Sequence, residues 1–185
     1  MFFGVNMKSE ILYLRKWNIN DKEALFKYAS DLDIGPIAGW LPHKTIDDSI
    51  FCINNIFNGK ECYAICLNGS SEPIGAIELK LNGKTDMTEK DDECELGYWL
   101  GRPFWGNGYM PHAASMLISH AFLDLGMNRI WCGYYDGNHK SKRVQEKLGF
   151  KYHHSSEIYL PLMNETRIGH VNFLDKEEWE KNVRI

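Results

Sequence analysis

The chain lacks the long hydrophobic run that a membrane-spanning helix requires, since none of its apolar stretches approaches about 20 residues. It also lacks an excess of positive charge, because 21 Lys and Arg stand against 25 Asp and Glu, for a formal net charge of −4. Proteins that read nucleic acid are usually basic, so we expect neither a nucleic-acid nor a membrane partner. Residues 1–5 are too short and have no basic start, so no signal peptide is predicted.

Cysteine pairs and metal-ligand spacings are absent as well. The five cysteines are odd in number, and none stands in Cys-x-x-Cys spacing. We therefore expect free thiols in a reducing compartment, the cytoplasm. The seven histidines show no metal-ligand spacing, and no metal is expected. His153 and His154 are adjacent on a predicted strand, so their side chains are expected on opposite faces.

What is present fits one α/β domain. The 185 residues match the length of a single domain, and 44% hydrophobic with 25% charged residues is ordinary for a globular protein. Residues 1–10 are predicted to be a flexible N-terminal extension and residues 11–185 a single domain.

The order of predicted elements favours a mixed sheet. A first strand and a helix precede residues 34–44, which are predicted to be a loop because of their Gly and Pro. Thr45 and Asp48 resemble a capping box that opens the next helix. Two apolar segments flanking residues 68–72 predict a hairpin. Strands then alternate with helices, which implies a mixed sheet with helices on its faces.

The most informative segment joins a predicted strand to a predicted helix through two glycines. The strand is aromatic-rich and ends near Leu100, and an amphipathic helix follows Met110. Gly106 and Gly108 allow positive φ and close approach of backbone to a ligand. Because the helix N-terminus also directs unpaired N–H groups to the same point, the turn predicts a phosphate site.

A second block lies downstream, where Asn138-x-x-Ser141 precedes Glu146-Lys147-Leu148-Gly149-Phe150. With the glycine turn, the first strand and the terminal Lys176-Glu177-Glu178-Trp179, this block resembles the GNAT acetyltransferases, in particular the RimJ/RimL branch of ribosomal-protein N-terminal acetyltransferases. The family's Gln/Arg-x-x-Gly-x-Gly/Ala turn falls on residues 105–110. Gly108 matches it, whereas Trp105 and Met110 depart from it.

The resemblance implies a seven-stranded mixed sheet that is splayed at its centre and an acetyl-CoA co-substrate bound in the gap. Backbone groups of the splayed strand would pair with the pantetheine, the turn would hold the pyrophosphate, and Asn138 would bond the pantetheine from the other side. A local turn-forming bond is the alternative role for Asn138. The expected cofactor-binding residues are Tyr98, Trp99, Leu100, Trp105, Gly106, Asn107, Gly108, Tyr109, Met110, Asn138 and Ser141.

The resemblance also places Ser141 near the CoA sulfur, as a catalytic hydrogen-bond donor. The alternative is that Ser141 caps a helix. Glu95 is the first candidate for a general base that acts through water, with Glu78 and Glu61 as alternatives. Each of these carboxylates has the alternative of a solvated strand face.

The implied activity is acetyl transfer from acetyl-CoA to a primary amine, and a peptide or protein N-terminus is the favoured acceptor. An α-amine titrates near 7.7–8.0 and Lys near 10.4, so a site without an obvious strong base favours the α-amine. Two alternatives remain: a polyamine or aminoglycoside acceptor, and a non-catalytic acyl-CoA sensor. The acidic residues 86–93 could attract either a cationic peptide or a polycation. Either a monomer or a homodimer is compatible with the sequence.

Overall fold

The structure is a computed structural model, and it describes the backbone of residues 7–183. Its strands are β1 (Leu12–Arg15), β2 (Cys62–Leu67), β3 (Pro73–Lys80), β4 (Glu93–Leu100), β5 (Arg129–Tyr135), β6 (Lys151–Leu160) and β7 (Glu165–Asp175). Its helices are α1 (Lys22–Ala29), α2 (Gly35–Ala38), α3 (Ile46–Asn55), α4 (Tyr109–Leu123), α5 (His139–Lys147) and α6 (Lys176–Val183). Within these residues, none of the helices is both long and apolar enough to cross a membrane.

All seven strands form one sheet in the order β1-β2-β3-β4-β5-β7-β6. Neighbouring strands are antiparallel except β4 and β5, which are parallel. These two strands pair only from Glu93 to Glu95 with Arg129 to Trp131, and beyond that point they separate. The predicted seven-stranded mixed sheet with a central splay is therefore confirmed. The gap lies between residues 96–100 of β4 and 132–135 of β5.

The alternation of β4 gives the gap two different sides. Its even residues, Cys94, Leu96 and Leu100 among them, pack into the main core against α4. Its odd residues face the opposite layer, where Trp99 joins a second core formed with α1 and α3. The two faces of β4 therefore serve two helical layers, as the period-2 geometry of a strand requires.

Local patterns explain most of the element boundaries. The predicted capping box at Thr45 and Asp48 is present and begins α3. The predicted hairpin forms between β2 and β3. The loop predicted over residues 34–44 is in part wrong, because Gly35–Ala38 makes one helical turn. Pro36 stands in the first turn of this helix, where its missing N–H costs nothing.

The structure also bears on the predictions for the His153–His154 pair and for the N-terminal extension. The prediction for His153 and His154 is wrong, because the register between β6 and β7 shifts between Tyr152 and His154 and the two Nδ1 atoms lie 2.7 Å apart. A β-bulge of this kind interrupts the alternation of a strand. Of the predicted extension, residues 1–6 lie outside the described residues, whereas Lys8 bridges to Tyr13 of β1. All five cysteines are free and buried.

Candidate functional site

Two clefts enter the sheet from opposite ends of the gap and meet inside it. The first, of about 940 Å³, runs along the glycine turn and the start of α5. The second, of about 730 Å³, lies between the α1–α3 layer and the face of the sheet. They share five lining residues: Ala38, Tyr98, Trp99, Asn138 and Ser141. We call the first the donor cleft and the second the acceptor cleft.

The glycine turn has the geometry of an anion site. Gly106 and Gly108 have φ of 81° and 77°, and a Cβ at either position would meet nothing within 4 Å. Gly108 is the N-cap of α4, and no side chain caps this helix. The backbone N–H groups of residues 106–110 bond no other group within the described residues. Free N–H groups at a helix N-terminus are the donors that a phosphate requires.

Side chains that the sequence analysis did not single out add positive charge to this cleft. Lys140, Arg143 and Lys147 of α5 line the donor cleft, and the Lys140 ammonium lies 4.2 Å from the centre of the Trp105 ring. Their spacing of three and four residues puts them on one face of the helix. That spacing is visible in the sequence, but it is weak evidence for a ligand site, because a charged face of a helix usually only faces solvent.

The free edge of β4 offers backbone groups to the gap. The Leu96 carbonyl accepts from Cys132 Sγ at 3.2 Å, so the groups of alternate residues point toward β5. Tyr98 therefore presents its N–H and C=O to the gap. The Leu100 carbonyl is already bonded, since the Trp105 indole donates to it at 2.7 Å. Among the predicted cofactor-binding residues of β4, which are Tyr98, Trp99 and Leu100, Tyr98 is thus the one whose N–H and C=O are both free to bond a ligand.

Ser141 lies where the clefts meet, and its partner is a tyrosine. The Tyr98 hydroxyl stands 3.1 Å from Ser141 Oγ and 3.3 Å from the Ser141 carbonyl. Burial raises the pKa of Tyr98 well above its ordinary value, so its hydroxyl remains protonated at neutral pH. From the sequence, only backbone contacts were predicted for Tyr98; its hydroxyl reaches Ser141 across the gap, and no local pattern indicates that contact.

A buried amide fixes the orientation of the Ser141 hydroxyl. Gln145 Nε2 donates to the Gly133 carbonyl and to Ser141 Oγ, each at 3.2 Å, and Asn172 Nδ2 donates to Gln145 Oε1 at 2.8 Å. Gln145 is fully buried. Because the carbonyl of Gly133 can only accept, the amide cannot be turned around. Ser141 Oγ therefore accepts from Gln145, and its own proton points elsewhere.

Asn138 takes the role of helix cap. Its Oδ1 accepts from the Ser141 N–H at 3.1 Å, and it is the N-cap of α5. The alternative that Ser141 caps this helix is therefore wrong, since Ser141 stands three residues inside the cap. The alternative of a local bond is correct for Asn138 Oδ1. Asn138 Nδ2 lies 3.5 Å from the Ile37 carbonyl and faces both clefts.

Glu95 is already paired on the acceptor side of β4. Its carboxylate accepts from Lys80 Nζ at 2.7 Å and from Thr85 Oγ1 at 2.5 Å. Lys80 and Glu95 stand directly opposite each other in the β3–β4 register, which explains the pair. Burial alone lowers the pKa of Lys80, but the Glu95 carboxylate more than offsets this, and the pKa of Lys80 is raised.

Glu78 is the carboxylate of the acceptor cleft without such a partner. It stands directly opposite Gly97, so no side chain on β4 meets it. Within residues 7–183 its carboxylate makes no hydrogen bond or ion pair. Burial raises the pKa of Glu78; Lys80 opposes this increase and Glu95 adds to it. Glu61, the other alternative, is bound by Tyr63 and His120 and lines neither cleft.

The rest of the acceptor cleft is mostly aromatic and apolar. Trp40 packs edge-on against Trp99 with ring centres 6.0 Å apart. His43 Nδ1 lies 2.8 Å from Ser49 Oγ, and burial lowers the pKa of His43, so it is neutral at pH 7. The segment from Trp40 to His43 thus lines the cleft and also fastens its own loop through the His43–Ser49 contact.

Comparison with known proteins places this geometry in one family. Residues 12–151 match a family described as an acetyltransferase (GNAT) domain. A Bacillus licheniformis protein named "Uncharacterized N-acetyltransferase p20" is 27% identical over 148 residues, which are 77% of this chain and 80% of that protein. A Bacillus subtilis protein named "Putative ribosomal N-acetyltransferase YdaF" is 35% identical over 65 residues, 35% of this chain and 36% of that protein.

The fold agrees with the sequence match. A GNAT-family acetyltransferase structure from Bacillus anthracis superposes with a TM-score of 0.79 at 23% identity, covering 93% of this chain and 99% of that one. The family model spans most of the described residues, including the glycine turn, the splay and Ser141. The chain therefore belongs to the GNAT acetyltransferases of the RimJ/RimL type, enzymes that use acetyl-CoA to acetylate an amine.

Proposed function

We propose that the protein transfers the acetyl group of acetyl-CoA to the N-terminal α-amine of a peptide or protein, by direct attack while both substrates are bound. The observation that carries this proposal is the meeting of the two clefts at Tyr98, Asn138 and Ser141. A donor bound in one cleft and an amine bound in the other would come into contact only there. The Bacillus subtilis relative named "Putative ribosomal N-acetyltransferase YdaF" supports a protein N-terminus as acceptor.

The residues that fit acetyl-CoA are arranged along the donor cleft. Backbone N–H groups of Gly106, Asn107, Gly108, Tyr109 and Met110 would hold the pyrophosphate, and the exposed cations of α5 would neutralise further phosphate charge. Trp105 fastens the turn to the end of β4. Trp99 pairs through its backbone with Ala76 of β3, and it forms part of the wall where the clefts meet. The backbone of Tyr98 and the Asn138 amide would bond the pantetheine from its two sides.

Ser141 and Tyr98 stabilise the departing sulfur. Acetyl-CoA supplies the thioester, whose carbon–sulfur bond breaks as the acceptor nitrogen bonds to the carbonyl carbon. Ser141 Oγ accepts from Gln145, so its proton is available to the sulfur as negative charge develops there. Burial holds the pKa of Tyr98 high, so the Tyr98 hydroxyl keeps its proton. Tyr98 donates a hydrogen bond to Ser141 Oγ, which in turn donates to the sulfur.

We assign the base to Glu78 in preference to Glu95. A base that accepts a proton from an amine is most effective when its pKa lies near the working pH, and burial moves the pKa of Glu78 in that direction. Glu95 is committed to Lys80 and Thr85, and its charge raises the pKa of Glu78. Glu95 is thus a positioning residue, and Glu78 receives the proton that the attacking amine loses.

A panel of amines tests the acceptor class. The protein is incubated with acetyl-CoA and with peptides, spermidine or an aminoglycoside, and free thiol is followed over time. Peptides should give thiol release that depends on both substrates. Faster release with spermidine or the aminoglycoside would support the small-molecule alternative. If acetyl-CoA binds but none of the amines accelerates thiol release, the sensor alternative replaces the transferase.

A further inference from the structure

The acceptor cleft is bordered by large apolar side chains that are exposed to solvent. Leu41, Phe51, Ile56 and Leu162 line it, and their exposed fractions range from 45% to 70%. Single exposed apolar residues are common, but a group of them around a cleft marks a binding surface. These four side chains come from three separate parts of the chain: the loop after α2, the α3 region and the β6–β7 turn. They form what we call the apolar rim.

The interior of the cleft carries very little net charge. Its charged lining residues are three carboxylates, Asp48, Glu78 and Glu95, and two ammonium groups, Lys44 and Lys80. Asp48 is engaged by the N–H groups of Lys44 and Thr45. Because Glu95 and Lys80 neutralise each other, Glu78 is the carboxylate available to a cation bound deep in the cleft.

The acidic segment before β4 acts on the cleft only from outside its lining: the charge of Asp86 helps to raise the pKa of Lys80 and of Tyr135. Its carboxylates line neither cleft, and Met87 is the residue of that segment that reaches the acceptor cleft. Asp91 and Asp92 are bonded to Asn82 and Asn128. A polyamine whose first ammonium lay at Glu78 would find no second unpaired carboxylate among the described lining residues, and a further charge against the apolar rim is costly.

We infer that the acceptor is an amine with a single positive charge next to a large apolar or aromatic group. The ammonium would lie at Glu78, and the apolar group would lie between Trp40, Phe51 and Leu162. This inference rests on the proposed function, and it narrows the acceptor to peptides whose first residue is large and apolar, such as Leu or Phe. A small aromatic amine has the same chemistry and serves as a separate arm of the test.

Binding is measured apart from transfer, with CoA in place of acetyl-CoA. Peptides that differ only in the first residue (Leu, Phe, Gly or Asp), phenethylamine and spermidine are titrated into the protein–CoA complex, and tryptophan fluorescence is followed, since Trp40 and Trp99 line the cleft. Leu and Phe peptides should bind at least about tenfold more tightly than the Gly peptide, because a buried hydrocarbon group contributes such a factor. Phenethylamine should bind more tightly than spermidine.

Matched variants test whether the apolar rim is responsible for the preference for Leu peptides over Gly peptides. Phe51→Ser and Leu162→Ser should reduce the preference for Leu over Gly several-fold, and both side chains are exposed enough that the fold is retained. Leu123→Ser is the control, because Leu123 is 61% exposed, as Phe51 is, and lines neither cleft. The control should keep the wild-type preference.

The outcomes separate this inference from the proposed function. Equal binding of Leu and Gly peptides, a preference for spermidine, or the same loss of preference in Leu123→Ser as in the rim variants would overturn the inference. Selective binding of Leu peptides that yields no thiol with acetyl-CoA would leave the inference standing and contradict the transferase. Thiol release that is fastest with Gly peptides would leave the proposed function standing and contradict the inference, whereas release that is fastest with spermidine would contradict both.

Discussion

The Tyr98 hydroxyl lies 3.1 Å from Ser141 Oγ, and this contact joins β4 to α5 across the gap between the two central strands. It is formed where the donor and acceptor clefts meet. Two hydroxyls and the Gln145 amide therefore form one hydrogen-bonded unit at the proposed reaction centre. Groups that act as a unit are expected to show non-additive effects when they are removed.

Ser141→Ala and Tyr98→Phe should each lower kcat with little effect on the Kd for acetyl-CoA, because the bonds strengthen as charge develops on sulfur. Each loss should stay below the roughly 2.7–4 kcal/mol found for a strong oxyanion donor. The double variant should show a coupling of about 0.5–3 kcal/mol. Ser119→Ala is the control, since Ser119 Oγ bonds only the Ser115 carbonyl of its own helix. Strictly additive effects on kcat would show that the two hydroxyls act separately.

Glu78→Gln should lower kcat and remove the acidic limb of the pH profile. The base must be ionised, so the wild-type rate should fall as pH decreases through the pKa of Glu78, which burial raises above the ordinary value. The control is Glu157→Gln, at an exposed residue of β6 that lines neither cleft. An unchanged acidic limb in Glu78→Gln would exclude Glu78 as the base, and Glu95→Gln would be the next variant to measure.

The same substitution should not destabilise the fold. A carboxyl whose pKa is raised in the folded state binds more protons there than in the unfolded state, so its contribution to stability is lost as pH rises. At neutral pH, Glu78→Gln should therefore keep or raise the Tm while it lowers the rate. Thermal melts at pH 7 and at acidic pH check this, and the gain should shrink on acidification. A lower Tm at pH 7 would indicate a structural role for the carboxylate.

Gly97→Ala should displace the carboxylate of Glu78, the proposed base, without removing it. A Cβ on Gly97 would lie 3.3 Å from both Cγ and Oε1 of Glu78, closer than an ordinary contact, so the carboxylate must shift. We expect kcat to fall while the Kd for acetyl-CoA is unchanged, because the new methyl group faces the acceptor cleft. Initial rates and a CoA titration measure the two quantities. A wild-type kcat would show that the position of Glu78 above Gly97 is not required.

Gly108→Val should abolish CoA binding while the protein stays folded. The residue has a φ of 77°, so a β-branched side chain there is strained by roughly 1–3 kcal/mol and also fills the space above the free N–H groups. Gly69→Val is the matched control, because Gly69 has a φ of 85° and open space around it but lies in the β2–β3 turn. Calorimetric titration with CoA should show binding to the control and none to Gly108→Val. Equal binding by both would place the phosphate site elsewhere.

Local sequence patterns were sufficient for most of the elements and for the conformation of the glycine turn. Gly106 and Gly108 lie within a few residues of the strand and the helix that they connect. The sequence pattern and the turn that it predicts are therefore adjacent in the chain. The cap of α3 and the β2–β3 hairpin are local in the same sense. These features could be predicted because their physical cause lies within about ten residues of sequence.

The reaction centre depends on contacts that no local pattern contains. Tyr98 and Ser141 are 43 residues apart, and they meet only because β4 and β5 separate after three pairs. The β3–β4 register decides that Glu95 faces Lys80 and Glu78 faces Gly97, and a shift of one residue would exchange these faces. The β-bulge in β6 is likewise the reason that His153 and His154 do not lie on opposite faces of the strand, as the sequence predicts. Register and splay are tertiary properties, which is why the choice of base could not be made from the sequence.

The most direct test of the account is the position of the acetyl group on a peptide that carries both a free N-terminus and an internal Lys. The peptide begins with Leu and is incubated with the protein and acetyl-CoA; thiol release is measured, and tandem mass spectrometry locates the acetyl group. Under the proposed function we expect one acetyl group on the α-nitrogen for each thiol released, and none on the Lys side chain. Acetylation of the Lys, or CoA binding without any acetylated peptide, would contradict it.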